Sequence, residues 1–528
     1  MGWYSTGHCI IFIPMSVGQD TRPVRDNCRT MEYSKRLATL AGLLLALAGT
    51  GQTKDTLCLI QINDIYEIAP LQGGRTGGIA RIATVIDEHR KRYPTTVLVA
   101  GDFLSPSLMG TAVVDKERLS GKQMVDLFNK VGVDIVTFGN HEFDIGEAPL
   151  QRRIDESAFQ WVSGNVRRAD GSLFYKNRKE TREPFPSYIR IDAPNGMFSV
   201  GLFSLTLPSN RPPYSKFLPY QEALQATVPQ KLGKHEMLAG LTHLSLAEDM
   251  DVLRQDPRIR LIMGGHEHEN MYKEAGKGRV AKADANGKTI YRHLIWREGR
   301  RGFGIRSTLL PIDETVAVKP IVAAAVKAWE EKAYASFRNA GFEPSRTVVT
   351  VTDTLNGMEN SIRYRQNSLG RAITEGLMTG GNPDASFINS GSVRIDDIVT
   401  GTLTELDVIR IMPFGGRVVE LTLKGDLLLR ILKGNEGRKG LGGYLQLYNG
   451  FSEPAPGAWS LRGKAIEPGQ TYRIRTIEYL AQGNENGLEY LNPKDPSYLR
   501  SEPVPDTDGK PLDIRKALIT QLQKQYRS

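Results

Sequence analysis

Short β-branched runs alternate with stretches of helical spacing through the first half of the chain. Leu57–Ile62, Val97–Ala100, Val131–Thr137, Phe198–Leu205, Met237–Thr242 and Arg260–Met263 are apolar and bounded by polar or glycine residues, so they are predicted as buried strands. Between them, Ile79, Ile82, Val85 and Ile86 fall on one face of a helix predicted over Gly77–Arg92, and Lys122–Lys130 has the same period. Strands and helices alternating at this spacing predict an α/β (α+β) core. Residues 164–190 are charged and turn-rich and are expected to form an exposed loop; Ala275–Lys288, rich in Gly and Lys, is expected to be a hairpin loop. Pro320–Asn339 then reads as one long helix, followed by Gly341 and Pro344, and is expected to join two domains. A second α/β region runs from about Val348 to the C-terminus.

The polar residues collect where strands give way to loops, the place where α/β sheets put their ligands. The strand ends carry Asn63-Asp64, Gly101-Asp102, Phe138-Gly139-Asn140-His141-Glu142-Phe143-Asp144, Thr242-His243 and Gly264-Gly265-His266-Glu267-His268. One carboxylate between two cations, with oxygen and imidazole donors on either side, suits a dinuclear hydrolytic centre. Four of the eight histidines lie in these segments, far more than structural histidines at strand ends would require.

Composition changes this picture little. The length of 528 residues suits two to four domains, and 40% hydrophobic with 24% charged residues is ordinary for a globular protein. The net charge is +9, and +7 without residues 1–48, which hold five Lys/Arg and three Asp/Glu. The basic residues are scattered, with no dense basic, aromatic-interleaved stretch and no zinc-finger spacing. This excludes a nucleic-acid polymer as partner and suits a small anionic substrate. Lys35-Arg36, the apolar run Leu37–Leu47 and the Ala46-Leu47-Ala48 close predict a secretory signal beginning at Met31 and cleaved near Ala48. Residues 1–30 are then an upstream extension, and the mature chain is expected in the periplasm or outside the cell, with no stable membrane span. Cys9 and Cys28 leave with the signal, so Cys58 remains alone as a buried thiol and no internal disulfide can form. Nothing in the chain specifies an oligomeric state.

The five strand-end motifs, in this order, resemble those of the calcineurin-like metallophosphoesterases, and more closely the secreted 5′-nucleotidase branch. The resemblance implies a four-layer αββα sandwich over 53–318, a linker helix over 319–345 and a C-terminal α/β substrate-binding domain over 346–528. It implies two metal ions, divalent Mn, Zn, Mg or Co. One would take Asp64, Asp102 and His268; the other would take Asp102, Asn140, His243 and His266. The family usually has Asp-x-His in its first motif, whereas this chain has Asp64-Ile65-Tyr66. Tyr66 either packs nearby or binds as phenolate, which would favour iron at that site.

The second half carries three further segments that resemble the substrate domain of the same branch. They are Ser361-Ile362-Arg363-Tyr364-Arg365-Gln366-Asn367, Asn389-Ser390-Gly391-Ser392-Val393-Arg394 and Met412-Pro413-Phe414-Gly415-Gly416. Gly391 lets backbone approach an anion, while Arg363, Arg365 and Arg394 offer guanidinium forks for phosphate and Asn389 an amide beside them. The resemblance places Phe414 and Tyr479 on the two faces of a nucleobase, and Glu485 in place of the family's ribose-binding carboxylate. It implies hydrolysis of nucleoside 5′-phosphates by in-line attack of hydroxide held between the ions, with His141, oriented by Asp144, assisting the leaving group. The rivals are a 2′,3′-cyclic nucleotide phosphodiesterase, a UDP-sugar hydrolase or a SoxB-like hydrolase on the same centre. From another class, a non-catalytic nucleotide- or phosphate-binding protein is the alternative.

Overall fold

The computed structural model describes residues 55–526 except 210, 300 and 301. The signal segment and the extension before it lie outside the described residues. The strand Thr56–Ile62 shows how the first core forms. Its side chains alternate across the sheet. Leu57 and Leu59 enter one apolar cluster, and Cys58, Ile60 and Ile62 enter another on the opposite face. A strand covered on both faces must be apolar throughout, which is why this one reads as a continuous hydrophobic run.

The first sheet has the order Gly302–Pro311, Thr289–Glu298, Thr56–Ile62, Thr95–Val99, Ile135–Thr137, Gln160–Val162. The second has the order Tyr188–Asp192, Ser199–Thr206, Glu236–His243, Ile259–Gly264, Gly278–Lys282, Met271–Ala275. Leu57, Leu59 and Leu98 from one sheet meet Val200, Leu202, Met237, Leu241 and Leu261 from the other. Helices Ile79–Arg90, Lys122–Val131 and Glu147–Glu156 cover the outer face of the first sheet, and Tyr220–Thr227 with Leu246–Gln255 cover the second. The layers are therefore αββα. Helix Leu246–Gln255, directly after His243, starts on a capping box between Ser245 and Glu248, which fixes where that strand-end loop stops.

Helix Pro320–Asn339 forms as its periodicity predicts, but it is no free-standing connector. Val322, Val326, Ala333 and Phe337 are buried in the same core as the helices over the first sheet. Beyond it, a five-stranded sheet of order Leu445–Leu447, Ala385–Asn389, Thr471–Ile477, Val418–Lys424, Tyr498–Pro503 builds a second core. Helices Ser368–Leu377 and Ile514–Tyr526 pack on that core through Leu369, Ile373, Leu377, Ile514, Leu518 and Leu522.

Two expectations need correcting. Residues 164–190 contain the short strands Val166–Arg168, Tyr175–Arg178 and Thr181–Pro184 and the start of Tyr188–Asp192. Charged side chains on exposed hairpins hide their period-2 pattern. The segment Ala275–Lys288 contains the strand Gly278–Lys282, whose Val280, Ala281 and Lys282 are fully buried. A lysine there looks like a loop residue until its partners are known. Cys58 is a free, buried thiol pushed up to about 12 by burial. Among the described residues no helix is long and apolar enough to cross a membrane.

His293, in the strand Thr289–Glu298, is fully buried between Gln61 Oε1 at 3.0 Å and Ser307 Oγ at 2.8 Å. Burial lowers its pKa to about 3. The unfolded chain therefore binds a proton here that the folded chain refuses. Stability is expected to fall as the pH drops from about 6.5 toward about 3, by about 1.4 kcal/mol per pH unit from this residue. Urea unfolding between pH 7 and 4 checks this: the pH slope becomes shallower in His293→Gln, and an unchanged slope would contradict it.

Candidate active site

The ends of five strands meet over the edge of the two sheets: Thr56–Ile62, Thr95–Val99 and Ile135–Thr137 from the first, parallel to one another, and Glu236–His243 and Ile259–Gly264 from the second, likewise parallel. Asp64 and Asp102 stand within three residues of the strands Thr56–Ile62 and Thr95–Val99 and hold a left-handed backbone, with φ of 50° and 56°. These are sparsely populated conformations for residues other than glycine, and they turn the carboxylates inward. Close approach explains the glycines: a Cβ on Gly139 would lie 2.1 Å from Asp102 Oδ1, and one on Gly101 would lie 2.4 Å from the Gly139 nitrogen.

All seven residues predicted as metal ligands come together here. Asp64, Tyr66, Asp102, His243 and His268 form one chain of side-chain contacts, Asn140 joins it through His243, and His266 stands beside it. His243 Nε2 is 3.2 Å from Asp102 Oδ2, 3.9 Å from Asp64 Oδ1 and 3.2 Å from Asn140 Oδ1. Its Nδ1 lies 2.7 Å from the Ala100 carbonyl, an acceptor, so Nδ1 carries the proton and Nε2 is turned to the centre. His268 Nε2 is 3.8 Å from Asp64 Oδ1 and 3.2 Å from the Tyr66 hydroxyl, which donates to Asp102 Oδ2 at 3.0 Å. The His266 ring stands edge-on to His243 at 5.6 Å between centroids, and its backbone N–H donates to Asp64.

Asp64, Asp102 and His243 offer donor atoms that all lie within 4.8 Å of one another, and all three are buried. Burial works to raise the carboxyl pKa of Asp64 above the ordinary range, against the pull of His243 and His268. At Asp102 burial is outweighed by His243 and His141, which hold the carboxyl below that range. The histidines answer in turn: despite burial, Asp102 lifts His243 to about 9, while Glu359 and Asp396 lift His268 to about 10. Burial, then Asp102 and Asp64, push the Tyr66 phenol well above its usual value. Among the described residues the cationic partners of Asp64 and Asp102 are imidazoles alone. Two buried carboxylates with imidazole nitrogens and an amide oxygen around them are a donor set that fits divalent cations.

Three supporting residues lie outside the set predicted from sequence. Glu142, fully buried, accepts the backbone N–H groups of Asp102 (2.9 Å), Phe103 (2.8 Å), Leu104 (3.1 Å) and Gly139 (2.6 Å), tying two ligand loops together. Lys282 Nζ is buried among the carbonyls of Leu244 (2.6 Å) and Gly265 (2.8 Å) and the carboxylates of Asp249 and Glu267, behind the His243 and His266 loops. Asp396, from the second half of the chain, accepts from His268 Nδ1 at 2.7 Å. Glu142 stands inside one of the strand-end motifs, and its position there is the available signal. Lys282 and Asp396 act over long sequence distances and leave none.

His141 and Asp144 sit beside the cluster. Asp144 Oδ2 is 2.7 Å from His141 Nδ1 and also accepts from Ser105 Oγ at 3.2 Å. His141 Nε2 points to the second half, where Arg394 Nη1 stands at 3.5 Å. Arg394 also lies over the Phe414 ring at 5.7 Å. Asn389 donates to Glu485 Oε2 at 2.5 Å and accepts from Ser392 Oγ at 2.6 Å; the Gly391 N–H donates to the Gly442 carbonyl. Arg363 pairs with Glu359 at 2.6 Å, and Arg365 donates to Ser361 Oγ at 3.3 Å. Phe414 and Tyr479 are 44% and 45% exposed, unusual for large aromatic rings and consistent with surfaces left open for a ligand. Arg394 thus comes next to the His141 side of the cluster, whereas Arg363 and Arg365 are occupied by partners within their own segment. Between Tyr66, His268, Glu359, Arg394 and Asp396 only about 10 Å³ remains, room for about one water.

Comparison with known proteins agrees with this geometry. Residues 59–270 match the calcineurin-like phosphoesterase family, and residues 348–492 match the 5′-nucleotidase C-terminal domain. The chain is 24% identical over 472 residues to protein UshA of Yersinia enterocolitica, covering 77% of this chain and 82% of that one. It is 25% identical over 510 residues to the 5′-nucleotidase of Vibrio cholerae, covering 85% and 89%. Among solved structures, the 5′-nucleotidase precursor of Thermus thermophilus superposes with a TM-score of 0.70 at 22% identity, over 89% of this chain and 97% of that one. With an αββα sandwich whose strand ends gather histidines, carboxylates and an asparagine, followed by a nucleotidase-type domain, the chain belongs to the calcineurin-like phosphoesterases that carry a 5′-nucleotidase C-terminal domain, a family of phosphoester hydrolases.

Proposed function

We infer that this chain hydrolyses nucleoside 5′-phosphates to nucleoside and phosphate with the help of two divalent cations, and that it does so in the periplasm or outside the cell. The observation that carries this reading is the placement of Asp102: its carboxylate touches His243 and Tyr66 on one oxygen and the His141 N–H on the other. Asp102 would serve both ions, with Asp64 and His268 completing one site and Asn140, His243 and His266 the other. When bound, such a pair of ions supplies Lewis acidity toward phosphoryl oxygens and makes water nucleophilic near neutral pH.

The chain's own groups do the rest. Asp144 holds the His141 ring by Nδ1 and leaves Nε2 toward the cleft, where it can hand a proton to the leaving ribose oxygen. Arg394, at 3.5 Å from that nitrogen, offers N–H donors to the same phosphate. Phe414 and Tyr479 present open aromatic surface to the base, and stacking contributes about 1–3 kcal/mol per base with little base preference. Asn389 and Glu485, already hydrogen-bonded to each other, would take the ribose hydroxyls, and Gly391 keeps their loop close to its neighbour. Arg363 and Arg365 are reserve cations that must leave Glu359 and Ser361 to reach phosphate.

Hydrolysis of nucleoside 5′-monophosphates to phosphate, of 2′,3′-cyclic nucleotides to nucleoside monophosphates, of UDP-sugars to UMP and sugar phosphate, and of thiosulfate esters to sulfate, each followed by its own product, tests the reading. Monophosphates are expected to be turned over with the largest kcat/KM; binding without turnover at every added metal would overturn it. Tyr66 separates two metal chemistries. Its neutral, donating role predicts a colourless enzyme with Mn or Zn and a Tyr66→Phe variant that keeps both ions. A visible absorption band in iron-loaded protein, lost in Tyr66→Phe, would instead make it a phenolate ligand and the site an iron site.

A further inference from the structure

The two imidazoles that face Asp64 and Asp102 are held from behind in different ways. His243 Nδ1 is held by the Ala100 carbonyl, from the strand-end loop of the same sandwich. His268 Nδ1 is held by Asp396 Oδ2 at 2.7 Å, with Glu359 Oε2 at 3.5 Å, and both carboxylates come from the 5′-nucleotidase C-terminal domain. Asp396 is itself fixed: it is 7% exposed, its Oδ1 accepts the Glu359 N–H at 2.8 Å, and its carbonyl accepts from Lys288 Nζ at 3.4 Å. Its backbone is left-handed, with φ of 44°, so the carboxylate is aimed by a conformation that few residues adopt readily.

An imidazole ligand needs its distal nitrogen fixed. A carboxylate there sets the tautomer, orients the ring and makes the metal-facing nitrogen more basic; removing such a partner costs about 10–100-fold in metal affinity. We propose that Asp396 is a positioning residue for the His268 metal site, so that the affinity of that one ion is set by a carboxylate of the other domain. This rests on the dinuclear reading given above. The substrate-binding domain thereby acquires a second role, because seating it against the sandwich completes the His268 site. The other site, backed by Ala100, is complete without it.

The proposal is tested by Mn²⁺ binding to the full-length, metal-stripped chain in isothermal titration, with His268→Ala, Asp396→Asn, their double variant and Gln72→Ala. Asparagine suits the left-handed position, keeps an oxygen for the Glu359 N–H, and offers His268 an amide that favours the wrong tautomer. Gln72 donates to Asp397 Oδ1 at 3.0 Å across the same domain boundary, so Gln72→Ala reports mere loosening of that boundary. The expected result is two ions in the wild type. One is weakened about 10–100-fold in Asp396→Asn with the other unchanged. The double variant is no weaker than His268→Ala, and Gln72→Ala is like wild type. Wild-type affinities in Asp396→Asn, or an equal loss in Gln72→Ala, would overturn the proposal while leaving the dinuclear centre standing. Fewer than two ions in the wild type, or both retained tightly in His268→Ala, would overturn the centre itself. Should Asp396→Asn unfold, Glu359→Gln carries the same test, with a smaller loss confined to the same ion expected from its longer contact.

Discussion

Asp102→Asn is expected to lose both bound cations and to lower phosphate release by about 10³-fold or more. A bound ion of this kind is worth several kcal/mol of transition-state charge stabilisation, and each step of about 1.4 kcal/mol is a factor of ten. The size of the effect follows from the position of this one side chain. Asp102 is 1% exposed, accepts the Tyr66 hydroxyl and the His141 N–H, and stands 3.2 Å from His243. An amide in its place offers one weak oxygen donor and puts an NH₂ group against donors or cations. Asp64→Asn, by contrast, removes a carboxylate from one side only and is expected to weaken one ion. Metal content after dialysis, measured beside turnover, checks both; Asp102→Asn that retains two ions would refute the bridging role.

The second large effect concerns His141. In His141→Ala both ions are expected to stay bound, because the ring lies outside the Asp64–Asp102–His243 cluster and the hydrogen bond to Asp102 comes from the backbone N–H, which alanine keeps. The kcat for a nucleoside monophosphate is expected to fall by about 10²–10⁴-fold, the usual worth of positioned acid–base help. Asp144→Asn should show a smaller loss of the same kind, since it loosens the ring without removing it. A substrate with a good leaving group, such as a nitrophenyl phosphate, should lose much less in His141→Ala, because it needs no proton. Equal losses on both substrates would place His141 in binding rather than proton transfer.

The cluster is legible in sequence because its residues sit at ends of strands whose apolar runs are hard to mistake. Asp64, Asp102, Asn140 and His243 each follow such a run within a few residues, and chain direction alone brings the carboxyl ends of parallel strands to one edge. The supports are illegible for a different reason. Lys282 lies in a glycine- and lysine-rich segment, and only a fold in which Asp249, Glu267 and two carbonyls surround it explains a buried ammonium there. Asp396 is separated from His268 by 128 residues, so no local pattern links them. The long helix Pro320–Asn339 is readable as a helix from its period, whereas its burial against the first core depends on which of its faces meets a partner.

Crystals of the metal-loaded chain measured at the Mn absorption edge test whether Asp102 serves two cations. Two anomalous peaks are expected, one on each side of the Asp102 carboxylate, the first against Asp64 and His268 and the second against Asn140, His243 and His266. A single peak, or peaks placed away from Asp102, would contradict it.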